Sequence, residues 1–259
     1  MRGPATISDA IVRGGASTFE QRDGYAVVET PARRDFWFGN MLVLDAAPSP
    51  DEYAAWLSLC ARTFAERGVR RYVVQWETAG SADDLTAVAL PNVELHRNVV
   101  LCYPGSSLSV PDSFAIRALE SDGDLAAACA LDVADAEPAH ADFVRWRFGL
   151  VAGDCRAGRA HVFGAWEGER LTAFAGVYLT PDYARFSTPV TGRAFRRRGI
   201  FSALCARIVA LAAERTPAAR IVIVAEEGSD AERLYRKLGF EPAGRQYALV
   251  ETILGPGAS

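Results

Sequence analysis

The chain alternates between short apolar runs and longer stretches with one apolar face. In the first half, "FWFGNMLVLD" (36–45) predicts a strand. "SPDEYAAWLSLCARTFAERG" (49–68) predicts a helix with a Ser or Asp cap, early acids and a closing Gly68. "RRYVVQW" (70–76) reads as a strand, "SADDLTAVAL" (81–90) as a short helix and "VELHRNVVLCY" (93–103) as a last strand. The stretch 102–114, "CYPGSSLSVPDSF", is rich in Pro, Gly and Ser and reads as a linker.

The second half opens with a strand and a helix in "FAIRALESDGDLAAACALDVAD". A further helix is expected over 142–153, with Phe143, Trp146 and Leu150 on one face. Residues 160–180 form a hairpin whose turn, "EGER", contains Gly168. A strand over 183–191 leads to a helix over 199–215. There Ile200, Leu204, Ile208 and Leu211 recur at spacings of four, four and three and draw one apolar stripe. A buried strand (220–225), a helix (229–239) and a closing strand (245–252) complete the pattern. Strand, helix, strand, short helix, strand describes both 36–103 and 183–252. The order is that of a structural duplication with weak residue identity, and it points to mixed α/β (α+β) architecture.

Composition narrows the function classes. The 259 residues carry 28 Lys+Arg against 32 Asp+Glu, a net charge of −4. At roughly 150 residues per domain, this is one large or two small domains. An acidic chain argues against nucleic acid as a partner, because phosphate-backbone binding wants a broad basic face. No stretch reaches the ~18 apolar residues of a membrane helix, and "MRGPATISDAIVRGGASTFEQRDG" carries no apolar signal core. Five scattered cysteines fit reduced thiols in a cytoplasmic protein. Neither they nor the three histidines stand at metal-ligand spacing, so no metal and no Cys-His nucleophile is expected.

One junction stands against this acidic background. "FRRRGIF" (195–201) sets Arg196, Arg197 and Arg198 before Gly199, where a strand gives way to a helix. A helix N-terminus presents unpaired N–H groups and the positive end of a dipole. Glycine lets a phosphate oxygen approach the backbone, and arginine adds forked donors. The alternative is a solvated turn, since charge runs are usually surface.

"RRRGIFSAL" resembles the pyrophosphate loop of the GNAT acyltransferase superfamily, Gln/Arg-x-x-Gly-x-Gly/Ala between a strand and a helix. Here it reads Arg196-x-x-Gly199-x-Phe201, with Phe201 in place of the final small residue. "AERLYRKLGF" (231–240) resembles the superfamily's Ala-x-x-x-Tyr helix and the Gly-Phe that follows it. The order and spacing of the two, across a strand, give the pair its specificity.

The resemblance implies a mixed, mostly antiparallel sheet flanked by helices. It divides the chain into a degenerate GNAT-like half over 1–105 and a catalytic half over 114–254. The first half has no arginine–glycine loop after residue 45, and "DDLTAVALPN", the counterpart of the Tyr235 region, has no tyrosine. The function implied is N-acyl transfer, most simply acetyl, from acetyl-CoA or another acyl-CoA to a primary amine on a small molecule or protein. Room for a homodimer is left. Pro189, Val190 and Thr191 would pair with the pantetheine arm. Arg196, Arg197, Arg198, Gly199, Ile200, Phe201 and Ser202 would hold the pyrophosphate, and Tyr235 would protonate the departing sulfur. The strand before the loop, "RFSTPVT", carries no acid to serve as base. Glu226, Glu227, Asp182 and His140 are the remaining candidates, beside a water chain or an amine that arrives neutral. Phe143, Trp146 and Trp166 are candidates for lining an acceptor pocket, although aromatics are more often core. A non-catalytic acyl-CoA sensor or scaffold is the alternative to an enzyme. A nucleic-acid contact through Arg193 and Arg196–Arg198 is a third reading, opposed by the overall charge.

Overall fold

The computed structural model describes residues 2–79, 90–110 and 114–253. In chain order the elements are α1 (Pro4–Arg13), β1 (Thr18–Arg22), β2 (Tyr25–Glu29), β3 (Met41–Leu44), α2 (Tyr53–Thr63), β4 (Arg71–Ala79) and β5 (Val93–Tyr103). They continue with β6 (Ala115–Ala118), α3 (Asp122–Asp135), α4 (Ala141–Arg156), β7 (Ala160–Glu167), β8 (Arg170–Leu179), β9 (Tyr183–Thr191), α5 (Ile200–Arg215), β10 (Arg220–Glu226), α6 (Asp230–Lys237) and β11 (Glu241–Thr252). The helix expected at 81–90 falls outside the described residues except for Leu90.

The chain packs as two compact units. One is Met1–Leu101 with Val224–Lys237 and Glu241–Ser259, and the other is Cys102–Ile223 with Leu238–Phe240. Compactness thus groups residues differently from a cut at 105–114, because much of the C-terminal end folds with the first half.

In the first unit the strands run β1-β2-β3-β4-β11-β5. β2 is antiparallel to β1 and β3, while β3 and β4 are parallel and joined through α2. β11 pairs antiparallel along all of β4, from Gly244 opposite Ala79 to Thr252 opposite Arg71. Leu42, Leu57, Val74, Trp76 and Leu249 form the centre of the core, all at most 4% exposed. The strand expected over 36–45 is shorter than its apolar run. Trp37–Gly39 is a 3₁₀ turn, because buried Asn40 donates to the carbonyls of Arg33 and Phe36 and accepts from the Thr30 N–H. A 3₁₀ turn, Pro50–Glu52, leads into α2 and is closed by a capping box of Ser49 and Glu52, with Asp51 and Glu52 in that turn. α1, with no counterpart in the sequence pattern, is pinned at its N-terminus by Glu77, whose carboxylate accepts from the N–H groups of Ala5 and Thr6 at 3.2 and 2.8 Å.

In the second unit the order is β10-β9-β8-β7-β6, antiparallel from β6 to β9 and parallel between β9 and β10. α3 and α4 bury Leu125, Ala128, Val144, Phe148 and Val151 against Val162 and Phe174. Successive strand residues face opposite ways. Phe163, next to Val162, accordingly meets α5, where the Arg207 guanidinium lies 4.9 Å from its ring. The expected stripe Ile200, Leu204, Ile208, Leu211 is buried throughout. The face expected for α4 is corrected: Val144, Phe148 and Val151 point inward, at spacings of four and three. Phe143 and Trp146 lie half-buried on the flank, their rings 5.6 Å apart. Among the described residues, β3 and β4 in the first unit and β9 and β10 in the second are parallel pairs joined by a helix.

Candidate functional site

The candidate site is built on the path from β9 through a loop to α5. β9 pairs with β10 only from Tyr183 to Arg185, so 186–191 leave that side of the strand unpaired by β10. On its other side the register against β8 slips between Phe174 and Gly176. Thr188, at φ +43°, and Pro189 both fall opposite Ala175 in this bulge. The hydroxyls of Ser187 and Thr188 are buried and have no hydrogen-bond partner among the described residues. Pro189 is exposed and Val190 and Thr191 half-exposed. Pro189 has no N–H, so it offers a partner only its carbonyl.

The loop is anchored at both ends. Gly192 donates to the Thr172 carbonyl at 3.0 Å. A 3₁₀ turn, Arg193–Phe195, then buries Phe195 beneath the guanidinia of Arg170 and Arg198, 4.8 and 5.4 Å from its ring. Arg197 is left-handed at φ +62°, which costs a side-chain-bearing residue ~1–2 kcal/mol. Gly199 is left-handed at φ +81°, with no atom within 4 Å of where a Cβ would stand. Gly199 is also the N-cap of α5, and it can supply no side chain to the helix's first amides. There is no acid in that first turn. The 3₁₀ turn that leads into α2 differs, because there Ser49 and Glu52 form a capping box.

The arginines do not act as equals. Arg193 and Arg196 converge on Asp135, and Arg198 pairs with Glu167 at 2.9 Å. Among the described residues Arg197 has no ion-pair or hydrogen-bond partner, and it is exposed. Ile200 is buried, while Phe201 and Ser202 are half-buried on the first turn of α5. Asp135 was not legible as part of the site. Its one signal is an acid on the last residue of a helix, where the dipole disfavours it.

The second signature divides between the units. Gly239, at φ +90°, ends α6, and Phe240 packs 5.9 Å from Phe186 of β9 and 5.1 Å from Tyr103. The Gly-Phe of one signature therefore touches the strand that feeds the other. Tyr235 lies in the first unit on α6 and is 4% exposed. α6 starts tightly: the Ser229 hydroxyl accepts from the Glu232 N–H, and the Glu232 carboxylate accepts from Gly228 N–H and Arg236. Burial pushes the Glu232 carboxyl up, but those donors outweigh it and hold it below its ordinary value.

The base candidates are scattered. Glu226 and Glu227 line a cavity of about 570 Å³ in the first unit with Phe38, Glu94, His96 and Arg97. Glu227 is already bound to Arg245 at 2.9 Å. In the second unit, Asp182 is exposed in a turn, and exposed His140 stands 3.9 Å from Glu137. Trp166, beneath the Arg117 guanidinium at 4.2 Å, lines a different cavity of about 520 Å³ with Asp124 and Glu169. Among the described residues no three His, Cys, Asp or Glu side chains gather to hold a metal, and no helix is long and apolar enough to cross a membrane.

Residues 124–240, from the first turn of α3 to Phe240, match the Acetyltransferase (GNAT) family. That match assigns the segment 124–240 to the GNAT superfamily. The segment contains the loop, α5, Tyr235 and the Gly-Phe. Solved structures similar to the whole chain extend the likeness of fold beyond that segment. A functionally unknown conserved protein from Staphylococcus epidermidis ATCC 12228 is 13% identical, with 92% of this chain and 95% of that one covered and a TM-score of 0.76. A GCN5-related N-acetyltransferase from Kribbella flavida is 18% identical, with coverage of 100% and 98% and a TM-score of 0.66. A tandem GNAT protein from the clavulanic acid biosynthesis pathway is 14% identical, with coverage of 94% and 85% and a TM-score of 0.56. No curated protein matches the chain in sequence.

Proposed function

We propose that this protein is an acyl-CoA-dependent N-acyltransferase that uses acetyl-CoA and a primary amine of a small molecule or protein. The observation that carries the proposal is the entrance to α5. Its first amides have no capping side chain, Gly199 leaves open space beside them, and Arg197 is unpartnered among the described residues. That is the chemistry of a pyrophosphate cradle. When bound, acetyl-CoA supplies an activated thioester and a thiolate leaving group. In this proposal the loop Arg196–Ser202 forms the pyrophosphate cradle, mostly through backbone N–H groups at the start of α5, with Arg197 as a cation unpartnered among the described residues. The backbone of Pro189–Thr191, unpaired by β10, aligns the pantetheine arm, which fixes the distance to the acceptor. Tyr235 donates its hydroxyl proton to the leaving sulfur. The first half of the chain, residues 1–105, has no arginine–glycine loop after residue 45 and in this proposal binds no CoA of its own.

β9 carries no carboxylate, and this favours a second reading, a module that binds acyl-CoA without turnover. A thiol-release screen with acetyl-CoA against a panel of amines separates the two. Amine-dependent CoA release supports the enzyme. Acetyl-CoA binding with no release across diamines, amino acids, aminoglycosides and peptide N-termini supports the module.

A further inference from the structure

We propose that Asp135 is a positioning residue for the acyl-CoA loop. It acts through Arg196, whose side chain is a strut and not a phosphate ligand. This rests on the acyl-CoA reading of the loop. The Arg196 Nη2 lies 2.7 and 2.6 Å from the two oxygens of Asp135, and its Nε donates to the Thr191 carbonyl at 3.1 Å. Two of the three guanidinium nitrogens are thereby committed within the protein. Asp135 is held a second time by Arg193, whose Nε is 3.3 Å from the carboxylate and whose Nη2 donates to the Asp135 carbonyl at 3.2 Å.

The placement explains both ends of the contact. Asp135 closes α3, where a carboxylate meets the negative end of the helix dipole and needs compensation. The two arginines supply it and also satisfy a terminal carbonyl. If Arg196 turned to a phosphate, it would leave that carboxylate with Arg193 alone. The strut also fixes backbone. Leu131, one helical turn before Asp135, stands 3.2 Å from where a Gly192 Cβ would be, so α3 abuts the start of the loop. Arg196 is extended at φ −65°, ψ 157°, and the next residue is the left-handed Arg197. With Arg196 tethered, Arg197 is held in a conformation that it would otherwise leave. Phosphate recognition then falls to Arg197 and the α5 amides.

The test is a double-mutant cycle read by calorimetry with CoA on the full chain, using Asp135→Ala, Arg196→Ala and the double variant, with Asp135→Asn as a shape-preserving second choice. Each single change is expected to weaken CoA by the same factor, roughly tenfold, and the double by no more than either. Arg196→Ala should leave the salt dependence of binding as in wild type, whereas Arg197→Ala should flatten it. In turnover, KM for acetyl-CoA rises with kcat unchanged. Additive losses, or an Asp135 variant that binds CoA as well as or better than wild type, overturn the strut. Wild-type protein that binds no CoA overturns the acyl-CoA reading and the positioning role with it. Unfolding midpoints of the same four proteins then show whether residues 135 and 196 are coupled in the fold alone.

Discussion

Trp76 and Tyr247 stack with ring centroids 5.6 Å apart and planes 20° from parallel, joining β4 of the first half to the last strand of the chain. Both are buried at 2% exposure or less, within a ladder of nine residue pairs. A fragment of residues 1–105 lacks that ladder and exposes the Trp76 face. It is expected to give a collapsed NMR spectrum and no cooperative melt. In the full chain, Trp76→Ala should cost about 3–5 kcal/mol in chemical denaturation. A dispersed spectrum from the fragment would show that the first half does not need β11.

The second half was legible because each element carries its own period and its own stop. β7, β8, β9, α5 and β10 fall within a residue or two of the expected bounds, punctuated by Gly168 and Gly199, both at positive φ. The first 35 residues carry no legible pattern, for physical reasons. α1 buries Ser8 and Asp9 beside Ala5 and Thr6, so no apolar stripe marks it. β1 is exposed at every position, so alternation is absent. Within the site, Gly199 announced itself through its residue type. Asp135 did not, because its partners stand 58 and 61 residues away and only the fold brings them together.

Arg117 grips Asp124 through two bonds of 2.9 and 2.7 Å, and Ser121 caps the same turn. Arg117, with Ser121 behind it, holds the Asp124 carboxyl well below its ordinary value of 3.8. In the unfolded chain that carboxyl takes a proton at a pH where the folded one does not, so folding opposes protonation. The stabilisation is present above the ordinary value and is lost as pH falls below it. Asp124→Asn should lower the midpoint of thermal unfolding at neutral pH and narrow its gap to wild type on acidification. A gap that widens toward acid would refute the assignment.

Tyr235→Phe keeps the buried ring and removes only the hydroxyl. If that hydroxyl protonates the leaving sulfur, kcat should fall by about 10²–10⁴ while acetyl-CoA affinity stays near wild type. Steady-state kinetics with an identified amine, under conditions where chemistry limits the rate, check this. A kcat within about threefold of wild type makes Tyr235 a packing residue.

The central claim is that acyl-CoA is held at the entrance to α5, and calorimetric titration of acetyl-CoA into wild type and Gly199→Glu tests it most directly. The new side chain has open space around it, while its carboxylate would stand beside the pyrophosphate. Glutamate at φ +81° should cost ~1–2 kcal/mol of stability and leave the fold intact by circular dichroism. The expected result is one site per chain in wild type and no measurable binding in the variant. Equal affinity in the two proteins would contradict the account.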